Sequence, residues 1–262
     1  MIDNRKLVCV IPARMGSSRY PGKPLAPLLG LPLVLHVLDR CRLYEKFDAV
    51  VVATCDTEIL DAVEAHGGRA VMTADTHERC TDRTEEAIDE LFPDLADDAI
   101  VVMVQGDEIL VSPDMIAQVA DAFVKADADV VNLASRLYTD ADHDDPNTVK
   151  VVAAPDGRAL YFSRSPIPSR ARVKEVAAYQ QTGIIAFTKG FLKTFSELPQ
   201  TPLEKIESCD MMRVVEHGRD IRLVHTETET IGVDTPADLR RAEGRLRDDS
   251  YTARYMTLPA AE

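Results

Sequence analysis

The sequence predicts an α/β fold, a largely parallel sheet flanked by helices with a smaller lobe, and three observations carry that prediction. Short apolar runs alternate with amphipathic stretches through the first half, the mark of βαβ units. Glycine and proline signals punctuate the helical stretches where helices should start and stop. The chain has 262 residues, room for one large domain with a lobe, since domains usually run about 100–200 residues.

Taken in order, strands are read at 7–11, 49–53, 69–72 and 100–104, and helices at 33–43, 58–66, 82–91 and 113–126. Each helical stretch carries apolar residues at three- and four-residue spacing. Gly67-Gly68 stops the second helix, and Ser112-Pro113 opens the fourth with a cap followed by proline. After a strand at 129–134 the pattern shifts to shorter strands at 148–153, 159–162 and 183–187 with proline-rich turns. Residues 136–200 are therefore read as a smaller lobe or an extension of the sheet. A helix at 203–216, a strand at 221–225 and a helix at 236–246 complete one domain over 1–247. From 248 to 262 hydrophobic periodicity is lost, and the segment reads as a C-terminal tail.

Composition narrows the function. Hydrophobic residues make up 45% and charged residues 28%, as in ordinary globular proteins. The net charge of −14 opposes a protein that coats nucleic acid or anionic membrane. The five cysteines, Cys9, Cys41, Cys55, Cys80 and Cys209, lack metal-ligand spacing and read as reduced thiols of a cytoplasmic protein. No run approaches the ~20 apolar residues of a membrane span, and no secretion signal is read. His36, His66, His217 and His225 lack ligand spacing and read as core or surface residues.

In an open α/β sheet, ligands bind beyond the carboxyl ends of the strands. The segment after the first strand, from Ile11 to Leu25, is punctuated by glycine, serine and proline and carries Arg14, Arg19 and Lys23. Glycines let backbone N–H groups approach phosphate oxygens, and the cations supply charge-assisted hydrogen bonds. The alternative is an exposed loop with solvated cations. Val104-Gln105-Gly106-Asp107-Glu108 ends an apolar strand in an amide, a glycine and two carboxylates. A carboxylate facing a phosphate loop calls for Mg²⁺ between them, and the alternative is a capped turn. Asp234, in Gly232-Val233-Asp234-Thr235-Pro236, could complete the metal site or N-cap the last helix. Arg164 sits at a strand end before a proline turn, where its fork suits a carboxylate or simply lies at the surface.

In this order and spacing, these motifs resemble the family of cytidylyltransferases that make CMP-activated sugar acids, and within it the CMP-Kdo synthetase family. The resemblance runs from about residue 7 to 247. It also rests on Asp145-Pro146-Asn147-Thr148-Val149-Lys150-Val151-Val152, Ala159-Leu160-Tyr161-Phe162-Ser163-Arg164 and Thr201-Pro202-Leu203-Glu204. It implies a Rossmann-like nucleotide-diphospho-sugar transferase fold, a homodimer built through the smaller lobe, and dependence on Mg²⁺. It implies in-line attack by the hydroxyl of an acidic acceptor, a Kdo-like 2-keto-3-deoxy sugar acid, on the α-phosphorus of CTP. Arg14, Lys23 and Asp107 are the catalytic residues it implies, with Asp107 and Asp234 holding the metal. Ala13, Arg14, Gly16, Arg19, Lys23, Thr81, Arg83 and Gln105 are expected at the nucleotide, and Gln105, Arg164, Gln181, Glu204 and Glu207 at the acceptor.

The chain departs from the family pattern in two groups of positions, one in the nucleotide loop and one in the acceptor pocket, and at Ile109. A Ser-Gly pair in the loop that approaches the nucleotide is here Arg79-Cys80, while Thr81 and Arg83 match. The pattern His-x-Gly-Ile-Tyr-x-Tyr appears as Gln181-Thr182-Gly183-Ile184-Ile185-Ala186-Phe187, and Glu-Gln-Leu-Arg as Asp210-Met211-Met212-Arg213. Ile109 replaces a proline after Glu108. Gln181, Ile185 and Met211 thus remove hydrogen-bonding groups, and the expectation is an acceptor other than Kdo or a rebuilt pocket. The alternatives are an anionic acceptor such as a phosphonate, a different nucleotide, or a non-catalytic nucleotide-binding homologue.

Overall fold

A computed structural model describes residues 2–16, 19–126, 128–173 and 175–258. Ser17, Ser18 and residues 259–262, which fall in the phosphate-loop and tail readings, lie outside the described residues.

The chain opens with β1 (Leu7–Ala13), followed by a small hairpin of β2 (Pro27–Leu28) and β3 (Leu31–Pro32). Next come α1 (Leu33–Arg42), β4 (Ala49–Thr54), α2 (Thr57–Ala65), β5 (Ala70–Met72), α3 (Cys80–Leu91), β6 (Ile100–Val104) and α4 (Pro113–Lys125). The second half runs β7 (Val130–Leu137), α5 (Asp140–Asp144), β8 (Lys150–Ala153), β9 (Ala159–Ser163), β10 (Ala178–Thr188), α6 (Lys189–Glu197), α7 (Pro202–Glu207), α8 (Met211–Glu216), β11 (Ile221–Thr226) and α9 (Pro236–Asp248).

Among the described residues nine strands form one sheet with the path β11-β7-β10-β6-β1-β4-β5. The strands β6, β1, β4 and β5 are parallel, β10 is antiparallel to both β6 and β7, and β11 is parallel to β7. This is the expected mostly parallel, Rossmann-like sheet flanked by helices. The pair β8 and β9 extends it sideways, joined through β8 to Tyr179 and Gln180 of β10.

Both faces of the sheet are covered, which is why its strands read as continuous apolar runs rather than alternating ones. Along β1, Leu7, Cys9 and Ile11 pack with α1 and α4, while Val8 and Val10 pack on the other face with α3, α6 and α8. No helix among the described residues is long and apolar enough to cross a membrane.

Three boundaries differ from expectation. The helix read at 203–216 is two, α7 and α8, broken at Ser208, which takes a left-handed φ of 48°. Leu203, Met211, Met212 and Val214 all pack on one cluster, so apolar spacing continues across the corner and hides it. The strand read at 183–187 begins earlier, at Ala178, and the polar Gln180, Gln181 and Thr182 of its first half interrupt the apolar run that would have marked it. Finally, residues 249–258 pack on the body. Asp249 pairs with the buried Arg40, the Tyr255 hydroxyl lies 2.8 Å from His36 Nδ1, and Met256 and Leu258 rest on the core. Isolated anchors of this kind leave no periodic pattern.

Candidate active site

The carboxyl ends of β1 and β6 lie side by side, and the loop after β1 crosses above them. Gly106 permits this approach, since a Cβ there would stand 3.0 Å from the Pro12 carbonyl oxygen. Gly183 does the same on the other side of β6: a Cβ would fall 2.6 Å from Cβ of Gln105, whose N–H donates to the Gly183 carbonyl at 2.9 Å.

Above these ends the Lys23 ammonium donates to Asp107 Oδ2 at 2.7 Å, to Asp234 Oδ1 at 3.1 Å and to the Val233 carbonyl at 2.6 Å. Burial presses the Lys23 pKa down, but the charges and hydrogen bonds of Asp107 and Asp234 outweigh it, so the value is raised. Arg19 adds a second bridge, donating to Asp234 Oδ2 at 2.9 Å and to Asn147 Oδ1 at 2.6 Å. The N-cap role weighed for Asp234 belongs to its neighbour: Thr235 and Asp238 form the capping box of α9. That leaves both carboxylate oxygens of Asp234 to face the cations. Behind the cluster, Glu108 accepts the Gly183 N–H, and burial, then the charge of Asp107, push its carboxyl up to about 7.

Two clefts meet at this cluster. The smaller, about 420 Å³, is lined on one side by Ala13, Arg14, Gly16 and Lys23 and on the other by Arg79, Cys80 and Arg83. The larger, about 820 Å³, runs past Asn147, Arg164, Gln181 and Cys209 towards Arg241 and Arg245. Arg19, Gln105, Asp107, Ser208 and Asp234 line both. Arg14 donates to the His77 carbonyl at 3.3 Å, across the mouth of the smaller cleft. Arg83 is buried, donates to Thr73 Oγ1, and its Nη2 has no partner among the described residues.

Most of the expected nucleotide residues are thus gathered around one cleft, but Thr81 is not among them. It is fully buried, and its hydroxyl donates to Asp210 Oδ2 at 2.6 Å. On the acceptor side, Gln105, Gln181 and Arg164 line the larger cleft, whereas the expectations for Glu204 and Glu207 are corrected. Glu204 is fully buried in a bidentate pair with Arg213, at 2.9 and 2.7 Å, and in the capping box of α7. Glu207 accepts from the hydroxyls of Tyr161 and Ser163 and from the Arg164 N–H, tying α7 to β9. Arg164 does line the cleft, but its guanidinium donates to the carbonyls of Glu207 at 2.7 Å and Pro146 at 2.9 Å, so its fork is occupied by backbone. Ile185 and Met211 are fully buried in the core. Of the three acceptor-pocket departures, Gln181 alone lines the cleft.

Sequence reasoning assigned no role to two residues that matter here. Lys150 is fully buried and donates to the carbonyls of Asp145, Thr148 and Arg164, fixing the turn that presents Asn147 to Arg19. Ser208 borders both clefts, and no local motif marks it.

Two carboxylates converging on one point, each about a quarter exposed, suit a hard divalent cation, because Mg²⁺ takes one or two protein carboxylates and completes its shell with substrate phosphates. Among the described residues no group of three or more His, Cys, Asp or Glu side chains is placed to hold a metal.

A family model described as cytidylyltransferase matches residues 8–221. The 3-deoxy-manno-octulosonate cytidylyltransferase of Thermodesulfovibrio yellowstonii is 42% identical over 245 residues, covering 90% of this chain and 96% of its own. The 8-amino-3,8-dideoxy-manno-octulosonate cytidylyltransferase of Shewanella amazonensis is 42% identical over 242 residues, covering 92% and 98%. Among solved structures, a CMP:2-keto-3-deoxy-manno-octonic acid synthetase complexed with CTP matches with a TM-score of 0.84 at 36% identity, over 93% of this chain and 99% of the other. The 4-diphosphocytidyl-2C-methyl-D-erythritol synthase of Anaerococcus prevotii, 18% identical over 94% and 98% of the two chains with a TM-score of 0.62, shares the fold.

Proposed function

The chain belongs to the cytidylyltransferase family and is a nucleotidyltransferase, and from that premise we propose that it transfers CMP from CTP to a Kdo-like 2-keto-3-deoxy sugar acid. The observation that carries the reading is the Lys23, Asp107 and Asp234 cluster at the junction of the two clefts. A transfer reaction needs two substrates to meet at one charged point, and phosphoryl transfer is mainly positioning and charge stabilisation.

The smaller cleft takes the nucleotide. Arg14, Lys23 and Arg83 face it, and the similar synthetase was solved with CTP. The acceptor takes the larger cleft, with its hydroxyl at Gln105 and Asp107. The hydroxyl oxygen bonds to the α-phosphorus, the α–β phosphoanhydride bond breaks, and the bonding pair leaves with pyrophosphate, while the hydroxyl proton passes to water. Lys23 and Arg19 hold the developing phosphate charge in place. Asp107 and Asp234 would hold Mg²⁺, which when bound supplies Lewis-acid charge at the phosphate.

The homodimer is proposed to form through residues 136–200, where the large apolar side chains of Tyr138, Leu160 and Val173 are exposed. The five free thiols support a reducing, cytoplasmic setting.

The test is pyrophosphate release with CTP and Mg²⁺ against Kdo, 8-amino-3,8-dideoxy-manno-octulosonate and no acceptor, repeated with ATP, GTP and UTP. Release that requires CTP and either acid, and that Asp107→Asn abolishes, supports the reading. CTP binding with no turnover of any acid would overturn it in favour of a non-catalytic nucleotide-binding homologue.

A further inference from the structure

Between the two clefts stands a corner of chain, residues 208–210, that closes α7 and leads into α8. Ser208 takes the left-handed conformation there, and Cys209 and Asp210 line the larger cleft. On the acceptor side the corner is gripped twice: Arg164 Nη2 donates to the Ser208 carbonyl at 3.4 Å, and the Cys209 thiol to Gln181 Oε1 at 3.1 Å. On the nucleotide side it is gripped by the first turn of α3. Thr81 bonds Asp210, Asp82 lies 3.7 Å from Arg213, and Arg79 donates to Ser208 Oγ at 3.3 Å with its Nε 3.6 Å from Glu204.

These ties are not equivalent. Thr81, Glu204 and Arg213 are buried and form a fixed seam. Of the three groups that the start of α3 contributes, Arg79, Thr81 and Asp82, Arg79 alone lines the smaller cleft, with a fifth of its side chain exposed. Its hydrogen-bonding partner, Ser208, borders both clefts. The one directed bond that Arg79 makes across the seam is therefore the one to Ser208, and the buried Glu204 carboxylate, already paired with Arg213, adds charge attraction at 3.6 Å.

We propose that Arg79 is a positioning residue for the acceptor: reaching across from the nucleotide cleft, it fixes the corner at 208–210 and so completes the wall of the larger cleft. The proposal rests on the assignment of the two clefts to nucleotide and acceptor given above. Its signature is a split, in which loss of Arg79 weakens the acceptor more than it weakens CTP.

The experiment pairs two readouts on Arg79→Ala, Arg79→Lys and Ser208→Ala. The first is N-ethylmaleimide labelling of Cys209, followed by peptide mass spectrometry, with the core residues Cys9 and Cys41 as controls for an intact fold. This readout needs no substrate, so it judges the corner even if the proposed reaction is wrong. The second is the acceptor KM alongside the CTP dissociation constant. For Arg79→Ala, losing a charge-assisted hydrogen bond should speed Cys209 labelling and raise the acceptor KM about tenfold, with the CTP dissociation constant changed by a smaller factor. Ser208→Ala should reproduce this on the partner side, and the double variant should add little. Arg79→Lys, which keeps the charge near Glu204 but not the fork, should fall between. Cys209 labelling at the parent rate in Arg79→Ala and Ser208→Ala overturns the proposal, and so does weakened CTP binding with an unchanged acceptor KM. Faster Cys209 labelling in a protein that turns over no acceptor would sustain the hold of Arg79 on the corner while overturning its role for the acceptor together with the proposed reaction.

Discussion

The Lys23 ammonium and the Asp234 carboxylate meet at 3.1 Å although 211 positions separate them in the chain. Their meeting depends on β1 and α9 being placed by the whole sheet, while Lys23 itself is held by local backbone bonds, Gly22 to Met15 and Ala26 to Lys23. Side chain and scaffold can therefore be separated by mutation. We predict that Lys23→Met lowers kcat for pyrophosphate release by about 10²–10³-fold, the usual loss when a preorganised charge at the reacting phosphate is removed. The far-ultraviolet circular dichroism spectrum should stay that of the parent, and a variant that keeps more than a tenth of the activity would remove Lys23 from the mechanism.

Asp234 and Thr235 are adjacent and are predicted to fail differently. Thr235 Oγ1 accepts from the Asp238 N–H in the capping box of α9, so Thr235→Ala should cost about 1 kcal/mol of stability and leave KM values unchanged. Asp234→Ala should do the reverse, abolishing turnover with little change in the urea midpoint. Equal effects of the two changes on activity would show that the cap, rather than the carboxylate, is what the site needs.

The sheet and the charged junction were legible in the sequence because both are written in local signals. Apolar runs that need no partner to be recognised placed β1, β4 and β6, and Arg14, Lys23 and Asp107 sit where those runs end. Glu204 misled for the opposite reason, and the backbone ties of Arg164 left no mark in the sequence. A carboxylate or guanidinium at helical or strand spacing looks the same whether it faces a ligand or a partner, and here Arg213 lies nine positions away across the break at Ser208 while the Pro146 and Glu207 carbonyls belong to backbone. The break at Ser208 was hidden because α7 and α8 share an apolar cluster, and it took with it the wall between the two clefts.

The buried pair of Glu204 and Arg213 yields a stability prediction in place of the acceptor contact first read there. Removing one partner leaves the other charge uncompensated in the interior, so Glu204→Ala should destabilise the fold by about 3–5 kcal/mol. Arg213 also stacks on Phe195, 4.2 Å from the ring centroid, and pairing Glu204→Leu with Arg213→Met should recover part of the loss by replacing two charges with apolar volume. Urea denaturation of the single and double variants measures this. A double variant less stable than Glu204→Ala would show that the pair stabilises beyond its mutual compensation.

His36, bonded to Tyr255, is predicted to set the pH dependence of the docked C-terminal segment. Its Nε2 lies 2.7 Å from the Leu28 carbonyl, which can only accept, so Nε2 carries the proton and the neutral ring accepts the Tyr255 hydroxyl proton at Nδ1. Burial lowers the His36 pKa, the Leu28 hydrogen bond opposes that, and the charge of Arg40 adds to it. A histidine whose folded pKa lies below its unfolded value of about 6.5 stabilises fully above that pH. As pH falls below it, the unfolded chain binds the proton first and stability is lost. We predict that the parent loses stability between pH 6.5 and pH 5, each roughly bracketing the histidine range, while His36→Gln shows a flatter curve over that window. Because protonation of Nδ1 ends its role as acceptor for the Tyr255 hydroxyl and sets a second positive charge beside Arg40, the ratio of the trypsin cleavage rate after Arg254 at pH 5.5 to that at pH 7.5, values either side of the roughly 6.5 midpoint, should be higher in the parent than in His36→Gln. Parallel stability curves for the two proteins would place the acid sensitivity elsewhere in the fold.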